Sequence, residues 1–92
     1  MFIIAIGAEN KERAVWENAR LKSHYDGYHY YLEKYPRGRF VEYAWWRIAN
    51  NQNRLEYYKK YLEKFPSGKF SEEALQRISV LKLQLESNED YP

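Results

Sequence analysis

Residues 31–49 read YLEKYPRGRFVEYAWWRIA, and residues 61–79 read YLEKFPSGKFSEEALQRIS. The second stretch follows the first at an offset of thirty, and eleven of the nineteen aligned positions are identical. The matches are Tyr31/Tyr61, Leu32/Leu62, Glu33/Glu63, Lys34/Lys64, Pro36/Pro66, Gly38/Gly68, Phe40/Phe70, Glu42/Glu72, Ala44/Ala74, Arg47/Arg77 and Ile48/Ile78. A fixed period of this size is the signature of stacked repeats, in which one supersecondary unit buries its apolar face against the next.

Working outward, Pro36 and Pro66 each follow a helical pattern. Proline disfavours helical geometry in the residue before it and has no amide to donate. The segments Pro36-Arg37-Gly38 and Pro66-Ser67-Gly68 are then short turns that send the next helix back antiparallel, as an αα-hairpin. Ser23…Asp26 and Asn53…Glu56 read as capping boxes at matching positions, so the caps repeat with the body. Asn10 reads as the cap of an earlier helix carrying Val15, Trp16, Ala19 and Leu21. The fold class expected is all-α, an αα-hairpin repeat solenoid of five helices near 10–22, 24–35, 39–50, 54–65 and 69–86. The chain forms one domain: an arm at 1–9, a helix at 10–22, repeats at 23–50 and 51–86, and a frayed acidic tail at 87–92.

With 92 residues and no cysteine, neither disulfides nor thiolate-bound metal can support the fold. Ten Tyr, four Phe and three Trp must supply much of the core, at about 150–250 Å² buried per aromatic ring. The net charge of +2 is unevenly spread, with −1 over residues 1–33, +6 over 34–69 and −3 over 70–92. The apolar start MFIIAI is far short of the roughly 20 residues needed to span a bilayer. It also lacks the basic n-region of a signal peptide. With no cysteine to carry a lipid, the expected location is cytoplasmic. The MFIIAI arm is expected to pack over the first helix, with pairing to another chain as the alternative.

One copy read against the other marks the core. Positions apolar in both are Tyr25/Leu55, Tyr28/Tyr58, Tyr31/Tyr61, Leu32/Leu62, Tyr35/Phe65, Phe40/Phe70, Ala44/Ala74, Trp45/Leu75 and Ile48/Ile78. Phe40 and Phe70 are expected to be buried between paired helices as the anchors of their hairpins. The match breaks at Tyr30/Lys60, Val41/Ser71, Tyr43/Glu73 and Trp46/Gln76. At about 100° per residue, Tyr43 and Trp46 point away from the Ala44–Ile48 stripe, and Val80 and Leu83 point away from Ala74–Ile78. Tyr43 and Trp46 can meet a neighbouring helix of the stack. Val80 and Leu83 sit on the last helix and are the first candidates for contact with another chain.

The run Tyr28-x-x-Tyr31-Leu32-x-x-Tyr35-Pro36-x-Gly38-x-Phe40-x-x-x-Ala44, preceded by Trp16 and Ala19, resembles tetratricopeptide-like repeats of bacteria. It is most similar to those of the outer-membrane assembly lipoprotein and of cell-envelope coordinators. The resemblance spans about residues 14–80, with a period of thirty in place of the usual 34. It implies binding of peptides or partner proteins on a concave face, and it is silent on activity.

No catalytic, cofactor-binding or metal constellation is legible. His24 and His29 are five apart and do not share a helical face. The four glycines form no phosphate cradle, and carboxylates such as Glu33 and Glu56 lie within helical pairing distance of Arg37 and Lys60. An enzyme is therefore not expected. The leading function is a protein–protein interaction adaptor that binds a peptide or partner protein between the second and fourth helices, where Tyr30, Tyr57, His29, Lys59 and Lys60 lie. Tyr43, Trp46, Val80 and Leu83 complete the candidate partner-binding set. The alternatives are a self-assembling unit, with a homodimer through Val80 and Leu83, and then a nucleic-acid binder using the basic, tyrosine-rich middle. The small net charge argues against the last.

Overall fold

The computed structural model describes residues 7–22 and 25–89. It contains five helices: α1 (Gly7–Lys22), α2 (Tyr25–Lys34), α3 (Val41–Gln52), α4 (Leu55–Lys64) and α5 (Ser71–Glu89). No strand occurs among the described residues. Each helix packs against its neighbours in the chain and against no others. The molecule is a ribbon of helices measuring 67 × 26 × 17 Å.

The proline rule places the hairpin turns where expected, with α2 and α4 ending two residues before Pro36 and Pro66. Three other boundaries differ from the sequence reading. Helix α1 begins at Gly7, so Asn10 is an interior position and not a cap. Ala8 and Glu9 are good helix formers that carry the helix further back. Helix α5 runs to Glu89, so the expected tail is helical for its first residues. Asn53 does not cap α4: it closes α3 in the left-handed conformation (φ 50°, ψ 48°), its N–H donating to the Ala49 carbonyl. Asparagine tolerates this conformation better than most residues. The Tyr58 hydroxyl proton is instead shared between the side-chain oxygens of Asn50, at 2.9 Å, and Asn53, at 3.2 Å. The expected cap at Ser23, the MFIIAI arm and the end of the tail lie outside the described residues.

Two aromatic cores follow one another along the ribbon. The first gathers Trp16, Ala19, Tyr28, Tyr31, Ala44 and Ile48; the second gathers Trp46, Ala49, Tyr58, Tyr61, Ala74 and Ile78. Tyr28, Tyr31, Tyr58, Tyr61 and Ile48 are the largest fully buried side chains. Leu32, Leu62, Tyr35 and Phe65 are half-buried, and so are Phe40 and Phe70, which were expected inside. Those two phenylalanines lie flat against the indoles: Phe40 on Trp16 at 5.2 Å and Phe70 on Trp46 at 5.0 Å, each with 2° between the planes. Leu75 is a further correction. It is 56% exposed, because no described helix lies beyond α5 to cover it, whereas its counterpart Trp45 has α4 beside it.

Candidate functional site

The contact that joins each helix to the following hairpin is a shared carboxylate. Glu12 on α1 accepts hydrogen bonds from the Tyr31 hydroxyl and the Arg39 backbone N–H, both at 2.7 Å. Thirty residues on, Glu42 on α3 accepts them from the Tyr61 hydroxyl and the Lys69 N–H, both at 2.6 Å. In each case the tyrosine oxygen also accepts the N–H of the next phenylalanine, Phe40 or Phe70, at 2.9 Å. The backbone donors at the starts of α3 and α5 are thus partly satisfied by these clips, where no side-chain cap is present on α3. Burial, and then the glutamate's hydrogen bond, raise the Tyr31 hydroxyl well above its usual range; the same causes raise Tyr61 to about 12. Tyr58 is also raised, chiefly by burial.

The clips explain Gly38 and Gly68. A Cβ on Gly38 would strike the Tyr31 hydroxyl and the Glu12 carboxylate; one on Gly68 would strike the Glu42 carboxylate and come within 2.7 Å of the Tyr61 hydroxyl. Neither glycine has positive φ. They are required for space, not for backbone conformation. Glu12 lies ahead of the two copies compared above, which begin at Ser23 and Asn53, so its match with Glu42 was not read. The available signal was that Glu12, Ala14, Trp16 and Ala19 stand thirty positions before Glu42, Ala44, Trp46 and Ala49.

The candidate residues fall on three sites. On the side formed by α2 and α4, Trp45 reaches out from α3 and meets both helices. His29 lies edge-on to its ring at 6.1 Å, and the ammonium groups of Lys60 and Lys64 lie over it at 5.9 and 4.8 Å. Lys34 sits over Tyr30 at 5.6 Å, and Tyr30 is 52% exposed. Lys59 is exposed, and Tyr57 is half-buried against both cores. Cations held on ring faces in this way keep their charge outward while their stems cover apolar surface.

Tyr43 and Trp46 belong elsewhere. Trp46 is only 6% exposed, packed on Tyr58, Tyr61 and Phe70 between α3 and the following hairpin. It is core and not part of an open binding surface, because an inner helix of the ribbon is covered on both flanks. Tyr43 is half-buried, edge-on to Phe70 at 5.6 Å, and its hydroxyl receives the Lys69 ammonium at 2.8 Å. That hydrogen bond raises the Lys69 pKa.

Val80 and Leu83 form the third site, on the outer flank of α5, where they are 47% and 65% exposed. Among the described residues, no helix is long and apolar enough to cross a membrane, and no three His, Asp or Glu side chains gather where they could hold a metal ion. No protein-family model, curated protein or solved structure matches the chain.

Proposed function

We propose that this chain is a short αα-hairpin solenoid of tetratricopeptide-like type that serves as a protein–protein interaction module. It receives an acidic segment of a partner on the face of α2 and α4. The observation that carries this reading is the cluster around Trp45. Two lysines rest on one half-buried indole, beside the exposed Tyr30 with Lys34 over it. Aromatic rings provide rigid contact area at small entropic loss, and cations already held over them lose less freedom when a carboxylate arrives. The excess of positive charge over residues 34–69 supplies long-range attraction for such a partner.

The test is capture by the full chain from its host, run beside Lys60→Glu/Lys64→Glu. The expected result is a defined set of proteins retained by the parent and lost by the variant, whose circular dichroism matches the parent. Equal recovery by both removes the α2/α4 face from the reading. Salt-sensitive binding of a mixed-sequence oligonucleotide, with no protein retained, replaces the reading with nucleic-acid binding.

A further inference from the structure

Glu72 follows Glu42 by thirty residues, as Glu42 follows Glu12, but no hairpin among the described residues lies against it. Its carboxylate is exposed on the first turn of α5 and meets no partner among the described residues. The residues through which α3 holds the next hairpin have their counterparts on the same flank. Trp45 corresponds to Leu75, Trp46 to Gln76, Ala49 to Ser79 and Asn50 to Val80. All four α5 residues are exposed, and Leu83 continues the flank one turn further on. The opposite end of the ribbon is different: on α1, Lys11 and Asn18 stand where α3 has Val41 and Ile48, two apolar positions of the first core. The first helix has polar residues at these two positions, although Leu21 on it is 74% exposed, while the last retains the clip acid together with apolar side chains.

Resting on the interaction-module reading, we propose that the outer flank of α5 is a second docking surface, and that its occupant is a helical hairpin of a partner protein, clipped by Glu72. The surface is continuous in register with the two clipped interfaces already present in the chain. Glu72 calls for a hydroxyl donor such as tyrosine and for a backbone N–H at the hairpin turn. Val80, replacing an asparagine that accepts the Tyr58 hydroxyl, calls for an apolar residue in place of that tyrosine. Gln76, replacing an indole, calls for a polar group where Phe70 lies flat on Trp46. In a second folded copy of this chain the two hairpin tyrosines that stand in this register, Tyr31 and Tyr61, are already held by Glu12 and Glu42.

The test uses the full chain and a hairpin of known sequence. Residues 53–82 are inserted a second time after Lys82, which preserves the thirty-residue register, with Tyr58→Phe and Phe70→Gln in the inserted copy. Ser79→Cys is placed in the original α5, in a chain that has no other cysteine. Alkylation of that thiol is followed in the parent and the extended chain. The expected result is a rate about tenfold or more slower in the extended chain, where the thiol is reached only through local opening. Glu72→Gln should restore much of the rate there and leave the unextended chain unchanged. Equal rates in parent and extended chain overturn the proposal. So does protection that Glu72→Gln does not alter, or concentration-dependent protection of the unextended chain, which would mark a homodimer on this flank. Thiol protection reports on α5 alone and capture through Lys60 and Lys64 reports on α2 and α4 alone, so either reading can fail without the other.

Discussion

Gly68 shows how closely the clips are fitted. At an ordinary position with negative φ, replacing glycine by alanine stabilises a protein by about 0.4–1 kcal/mol, because the unfolded chain has less freedom to lose. Here the added methyl would displace the Glu42 carboxylate and the Tyr61 hydroxyl. Gly68→Ala is expected to destabilise instead, by about 1–3 kcal/mol as for other overpacked sites. A chemical-denaturation midpoint at or above that of the parent would show that the clip has room to spare. Tyr61 itself gives a pH test. Its hydroxyl is raised from the ordinary tyrosine value of about 10 to about 12, by burial first and the Glu42 hydrogen bond second. The folded state therefore holds this proton more tightly than the unfolded state. The associated stability is complete below pH 10 and is lost as pH climbs from 10 towards 12. Tyr61→Phe is expected to flatten that part of the stability curve. An identical slope for parent and variant would place the alkaline loss elsewhere, among the many other tyrosines and lysines.

At the scale of a helix, what matters is how many of its flanks are covered. Helix α3 is covered on both flanks, so Trp46 is core. Trp46→Ala is expected to cost about 3–5 kcal/mol, the usual range for removing a buried aromatic ring. Leu75→Ala, on the uncovered flank of α5, is expected to stay within about 0.5 kcal/mol. Comparable losses for the two in thermal unfolding would contradict this division. The same distinction explains what could be read from the sequence. Helix ends next to Pro36 and Pro66 are local, and so were legible. The exposure of Val80 and Leu83 followed from helical phase alone, because nothing described lies beyond α5. Trp46 has nearly the same phase as Leu83 and the opposite fate, which depends on a neighbour and not on its own helix. The carboxylate clips were hidden for a related reason. Glu12 and Arg39, like Glu42 and Lys69, are 27 positions apart, and a lone glutamate on a charged helix looks like a solvated one until its tyrosine is placed. Asn53 misled because asparagine suits both a helix cap and a left-handed turn.

For the whole molecule, the arrangement predicts an elongated particle. The radius of gyration is 16.5 Å, whereas a compact chain of this length would measure about 12 Å. Small-angle X-ray scattering on a monomeric sample is expected to return a value near the larger figure. A result near 12 Å would mean that the ribbon folds back on itself in solution.

Packing that runs only between chain neighbours bears on how the protein is made. All the buried residues of its first core are available once the chain is made to about Ile48, and of the side chains packed against that core only Tyr57 comes later. Contacts of such short sequence separation favour rapid folding, and segments made first can settle while the rest is still on the ribosome. The gene inherits the same freedom. Thirty codons added or removed in frame, at the Asn53 turn, would lengthen or shorten the ribbon by one hairpin and keep the register between a clip glutamate and the tyrosine of the hairpin after it.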